Sequence, residues 1–400
     1  MTGVRGPGQY GLDWHNFFVA NVQTGFGPFI AVYLSTEAWT QGQIGTALSI
    51  GTIAGMASQL PGGALVDWLH NKRLAALAAC IAICVSAAML AIWPEWLPVL
   101  AAEVLHGFAS AMLPAAIAAM SLALVGRAAL GERVGRNARF AALGNGVAAA
   151  VMGAVGSYVS EVAVFYLTAA LMLPGIAALF WIPQRRATLP TPAEKGHAGW
   201  RDAIRLLLGW RILVFAGVVT LFHLGNAAML PLVAGEVTHS LGKQASLVIA
   251  ACIVLPQLLV AYASPHVGHL ADRWGRRPVI LLTFLAVPIR GALLALFGGN
   301  QALPLIQLLD GVSAAGFGVM LPLIAADFTR GTERFTLCLG LFGLAAGLGA
   351  TISTALAGGL ADRYGNGTAL WTLAAAGLGS VLLAGAALPE TRPLELPVAP

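Results

Sequence analysis

The chain has 400 residues, of which 58% are hydrophobic and only 10% charged, against about 25% charged in an ordinary soluble protein. So little charge cannot cover a soluble surface of this size. That excludes a cytosolic enzyme, a disordered chain and a secreted disulfide scaffold, and leaves a polytopic membrane protein. The formal net charge of +5 reads as membrane topology rather than nucleic-acid binding, because loops facing the cytoplasm carry the excess Lys and Arg.

Residues 1–11 are polar and glycine-rich and contain no short apolar segment with a cleavage site, so no cleavable signal peptide is expected. Apolar runs then predict twelve spans, near 14–34, 41–66, 74–93, 97–125, 140–160, 162–183, 210–234, 245–267, 279–298, 303–326, 336–358 and 368–388. Cys80, Cys84, Cys252 and Cys338 all fall inside these runs and read as small apolar residues rather than ligands or disulfide partners. The one long polar break, with Pro190 and Pro192, predicts an N-terminal six-helix bundle over 1–183, a cytoplasmic linker over 184–209 and a C-terminal six-helix bundle over 210–400. Within the break, 202–208 reads either as a short amphipathic helix on the inner membrane surface or as plain linker.

Charge tests the map. With the N-terminus placed in the cytoplasm, every one of the 22 Lys and Arg residues falls inside except Lys243, Arg363 and the intramembrane Arg290. So lopsided a distribution predicts twelve spans with both termini cytoplasmic.

After span 8 comes Gly268-His-Leu-Ala-Asp272-Arg273-Trp-Gly275-Arg276-Arg277-Pro278. A partial copy, Gly63-Ala-Leu-Val-Asp67, follows span 2; it departs at Trp68, His70 and Asn71 and closes with Lys72 and Arg73. A third echo, Gly359-Leu-Ala-Asp362-Arg363-Tyr-Gly365, follows span 11. The full copy resembles the signature loop G-x-L-x-D-R-x-G-R-R of the major facilitator superfamily, and the echoes fall at equivalent places in that family's three-helix repeats. The resemblance covers essentially the whole chain. It implies an all-α polytopic fold of two pseudo-symmetric six-helix bundles around one central site, alternating access by rocking, and secondary transport of a small solute, in many members driven by protons. In the motif, glycine permits close helix approach, and the aspartate pairs with arginines or accepts from the N–H groups at a neighbouring helix start. The expected cytoplasmic gate is therefore Gly63, Asp67, Arg73, Gly268, Asp272, Arg273, Gly275, Arg276 and Arg277.

Polar groups at membrane depth are costly and mark cavities or partners. Glu103 and His106 in span 4, and Gln307 and Asp310 in span 10, are each three apart on one face. The family often has Arg at the place of Glu103, so Glu103 with His106 reads as a titratable pair or as a packing pair. Arg290, in span 9, lies at the depth of Asp310, and an ion pair is expected, either coupling a proton or fixing packing. His223 and Asn226 share a face of span 7 and, with Asn21 and Gln23 of span 1, are candidates for substrate contact. Asp13 reads as a coupling candidate or as a cap of span 1. Spans 5 and 11 are glycine-rich, which close packing explains; the proline and final glycine pair of the family's exporter motif are missing from span 5.

No phosphate loop, H-E-x-x-H or C-x-x-C occurs, so neither cofactor nor resident metal is expected, and no enzymatic site. The expected function is proton-coupled secondary transport of a small organic solute with a slight lean to export. Uptake of a sugar, organic acid or metallophore is the alternative, as is divalent-metal export through types such as Asp13, His15 and His223. The expected partners are the solute, protons and the lipid bilayer, with no nucleic acid, for a monomer in a bacterial inner membrane.

Overall fold

The computed structural model describes residues 7–21, 28–37, 39, 41–183, 200–233, 245–297 and 302–392. Every described element is a helix, and among the described residues ten are long and apolar enough to cross a membrane. In chain order the spans are: span 1, Pro7–Val19 and Pro28–Thr36; span 2, Gln41–Trp68; span 3, Lys72–Ile92; span 4, Trp96–Val125; span 5, Leu130–Tyr158; span 6, Glu161–Leu179; span 7, Trp210–Asn226; span 8, Ala245–Trp274; span 9, Arg276–Phe284 and Ala286–Phe297; span 10, Leu303–Ile306 and Leu308–Phe328; span 11, Phe335–Tyr364; span 12, Asn366–Ala387. Residues 202–207 lie in a short helix, Trp200–Leu207, and Leu208 follows in a turn.

Local chemistry explains the ends and breaks. Asn71 caps span 3, its side chain accepting from the N–H of Leu74, and Ser160 caps span 6 through Ala163. Gly275 and Gly365 take φ of 106° and 84° and end spans 8 and 11, a backbone that glycine adopts without a Cβ clash. Pro288 has no N–H to offer the carbonyl of Phe284, and span 9 breaks at Leu285.

Two spans start earlier than the hydropathy suggests. Span 1 begins at Pro7, so Asp13 sits inside its first helix rather than at its entry. Span 5 begins at Leu130, which moves Arg133, Arg136 and Arg139 from the expected loop onto the helix. Hydropathy misses both because polar residues there are buried in protein rather than exposed to lipid.

The spans pack into one contiguous apolar core with a small satellite around Ala148, Met152 and Val164. Large apolar side chains such as Leu97, Leu173 and Leu382 point outward, as lipid-facing residues do. Among the described residues the most extensive contacts between the first six spans and the last six are span 2 along span 11 and span 5 along span 8.

Candidate functional site

The repeated motif builds both crossings. A Cβ on Gly63 would strike the carbonyl of Thr336, and one on Gly268 would strike that of Gly131, so glycine is what allows the backbones to touch. Asp67 then accepts from the backbone N–H groups of Thr336 (3.0 Å) and Leu337 (2.8 Å) at the start of span 11. Asp272 occupies the matching place at the start of span 5, its carboxylate lying against Gly131. Each carboxylate faces the positive end of a helix from the other set of six.

The second copy carries an additional ionic network. Arg276, almost fully buried, donates to Asp272 (2.8 Å), to the carbonyl of Ala271 (2.7 Å) and to Asp327 (3.1 Å). Glu390 accepts from the backbone N–H groups of Arg276 (2.8 Å) and Arg277 (3.1 Å) and so caps span 9. Arg277 donates to the Gly385 carbonyl. The side chain of Arg273 is exposed. In the degenerate copy Asn71 caps span 3 from within the loop, the task that Glu390 performs from the tail. Arg73 is not in the seam: it donates to the Ile182 carbonyl at 3.2 Å and covers the Phe180 ring. The expectation that Arg73 belongs to the gate is corrected accordingly. Asp327 and Glu390 were missed in the sequence because both lie outside the motif, one at the end of span 10 and the other past the last span.

Deeper in the membrane, Arg290 is the largest fully buried side chain among the described residues. It donates through Nη1 to Asp310, through Nη2 to the Asn226 carbonyl (3.1 Å) and through Nε to the sulfur of Met229 (3.3 Å). Asn226 ends the helix of span 7, so its carbonyl is among those left without an intrahelical donor. Arg290 is 2% exposed and Asp310 30%. The base is sealed while the acid keeps accessible surface. Beside them Gln307 is fully buried, with neither amide atom hydrogen-bonded, and Asn226 Oδ1 also lacks a donor.

Span 4 mirrors span 10. Gly107 packs on Gly51 and Gly55 of span 2, and Gly311 packs on Pro256 and Leu259 of span 8. His106 and Asp310 each precede that glycine, and Glu103 and Gln307 stand three residues earlier. Glu103 is buried against Gly51 with Oε1 unpartnered, while His106 shares a hydrogen bond with Ser110 (3.0 Å). The two thus lead to different neighbours. His223 bonds the Val219 carbonyl (3.2 Å) and stands edge-on to Phe317.

Asp13 does not cap span 1. Its carboxylate takes both Arg133 and Arg136 of span 5, and Asn137 joins the network through Arg133, Asn16 and Ser121. Two cations thus share one acid, in a cluster separate from the contacts of Arg290. The side chain of Asn21 turns back to Phe18 and Met172. Gln23 lies outside the described residues. Among the described residues no three His, Cys, Asp or Glu side chains come together as metal ligands; His15 instead donates to the Gly175 carbonyl at 2.8 Å.

The sequence matches the family model described as Major Facilitator Superfamily over residues 15–262 and 215–400. It is 33% identical over 388 residues to an uncharacterized MFS-type transporter of Mycobacterium tuberculosis, covering 95% of this chain and 93% of that one. A shorter stretch of 153 residues, 37% of each chain, is 31% identical to the class C tetracycline resistance protein of Escherichia coli. Among solved structures, the E. coli fucose:proton symporter superposes with a TM-score of 0.73 at 15% identity, covering 94% of this chain and 97% of that one. The human organic anion transporter TETRAN gives 0.74 at 15% identity, covering 94% and 99%.

Proposed function

Because the chain belongs to the major facilitator superfamily, and is thus an integral membrane transporter, we propose that it is a proton-coupled antiporter that exports a small organic solute by alternating access. The observation that carries the reading is the Arg290–Asp310 pair: a sealed guanidinium neutralised by a partly exposed carboxylate. A proton reaching Asp310 cancels its charge. Arg290 is then left with a carbonyl and a thioether as its partners, which is a poor setting for a buried cation. Relief comes either from rearrangement of spans 7, 9 and 10 or from an acceptor group on the solute. Proton binding and a change of conformation are thereby linked through one bond.

In this reading spans 1–6 and 7–12 form the two bundles, with 184–209 as their cytoplasmic link, and the face carrying the motif loops is cytoplasmic. The chain works as a monomer in a bacterial inner membrane. Closure of the motif face through Asp67 and Asp272 corresponds to a state open or occluded toward the other side. The direction is supported by the partial likeness to tetracycline resistance proteins.

The test is proton movement in inverted membrane vesicles under an imposed pH gradient, read with a pH-sensitive dye, over a solute panel that includes tetracycline. The reading predicts that at least one solute dissipates the gradient through the wild-type protein. A panel that moves no protons, while the same vesicles exchange a labelled solute, would leave transport standing and remove the coupling.

A further inference from the structure

Span 8 carries Pro265 in the interior of its helix. Proline has no N–H, so the carbonyl four residues earlier, that of Ala261, loses the donor an unbroken helix would give it. At membrane depth such a group needs another partner. Span 5 supplies one: Arg139 Nε donates to the Ala261 carbonyl at 2.9 Å. Glycine sets the approach, since a Cβ on Gly135 would strike the Ser264 carbonyl and come within 2.8 Å of the Pro265 Cα. Gly131, Gly135 and Arg139 recur every fourth residue and therefore share one face of span 5. The strip they form meets Asp272 and Gly268, then Pro265, then Ala261.

We propose that Arg139 is a positioning residue for gating, which clasps span 5 to the proline-freed carbonyl of Ala261 and must let go before the motif face can open. The proposal rests on the alternating-access reading above. The bond is suited to two states. In the closed seam the buried Ala261 carbonyl is satisfied by a charged donor from the part-buried Arg139. In an open seam water reaches the carbonyl, and the long side chain of Arg139 extends to the headgroups. The seam therefore has a satisfied arrangement whether closed or open, and neither partner is stranded by the change.

The experiment replaces the four native cysteines with serine and places spin labels at Glu132→Cys and His269→Cys, exposed near the motif-face ends of spans 5 and 8. A second pair, Leu97→Cys and Leu305→Cys, reports the opposite face. Distance distributions are measured in the full-length protein. Arg139→Ala is expected to raise the long-distance population at the motif face on the order of tenfold. Pro265→Ala, which returns an N–H to the Ala261 carbonyl, should have a similar effect. The double variant should exceed neither single variant, because both remove the same bond. Arg139→Lys, which keeps a charged donor, should stay near wild type. An unchanged distribution in Arg139→Ala, or additive effects in the double variant, overturns the clasp. The outer pair judges the underlying reading separately. If it shortens in wild type as the motif face lengthens, alternating access stands whatever Arg139 does. If it is static in every variant, that reading falls as well.

Discussion

Asp67 of span 2 accepts the backbone N–H of Thr336 of span 11 at 3.0 Å, and the Thr336 hydroxyl donates back to span 2, to the Gly63 carbonyl, at 2.6 Å. The carboxylate thus serves as the N-cap of a helix from the other six spans. Losing such a cap costs about 0.5–2 kcal/mol. In a two-state seam this becomes a shift of roughly two- to thirtyfold toward the open form. Asp67→Ala is expected to speed maleimide labelling of a cysteine placed at Ser264, fully buried in the other seam, by several-fold in solubilised protein. Equal labelling rates with and without Asp67 would show that it does not hold the face shut.

The glycines divide into two groups. Gly63 and Gly340 meet backbone of the facing span too closely for any side chain, whereas Gly146 and Gly358 have nothing within 4 Å of a would-be Cβ. Gly63→Ala and Gly340→Ala should force spans 2 and 11 apart and abolish solute-driven proton movement. Gly146→Ala and Gly358→Ala should leave it intact and gain slightly in helix propensity, by up to about 1 kcal/mol. Parallel assays of the four variants check this. Equal damage from all four would contradict it.

Asp13 predicts a different phenotype. Removing its charge takes this counter-ion from the buried Arg133 and the part-buried Arg136, a loss of about 3–5 kcal/mol when one partner of a buried pair is deleted. Asp13→Asn should therefore lower the unfolding temperature and the yield, while the protein that does fold keeps its proton-to-solute ratio. An altered ratio in a fully stable Asp13→Asn protein would instead place Asp13 in the transport chemistry.

The fold is legible because two strong signals agree: apolar runs long enough to cross a bilayer, and basic residues that, with three exceptions, gather at the same ends of the predicted spans. Arg290 and Asp310 are legible as equal-depth groups because span 10 returns antiparallel beside span 9. The burial of Asp13 is not legible, since it depends on arginines more than a hundred residues away that read as loop charges. Glu390 gives no signal either, as a carboxylate in an irregular tail has no periodicity to place it. Glycine-rich span 5 reads as closely packed, yet a Cβ added at Gly146 or Gly153 would meet nothing within 4 Å. Composition signals that helices approach closely, but not which glycine is at the crossing.

In the proposed coupling, Asp310 carries the proton that frees Arg290. The most direct measurement compares two modes in proteoliposomes with the solute found in the panel: exchange of labelled for unlabelled solute, and uphill movement driven by a pH gradient. Asp310→Asn imposes the neutral state permanently. It should keep exchange within a few-fold of wild type and lose gradient-driven movement entirely. If Asp310→Asn still drives solute uphill with protons moving the other way, the coupling proton binds elsewhere and the Arg290–Asp310 pair only packs the bundle.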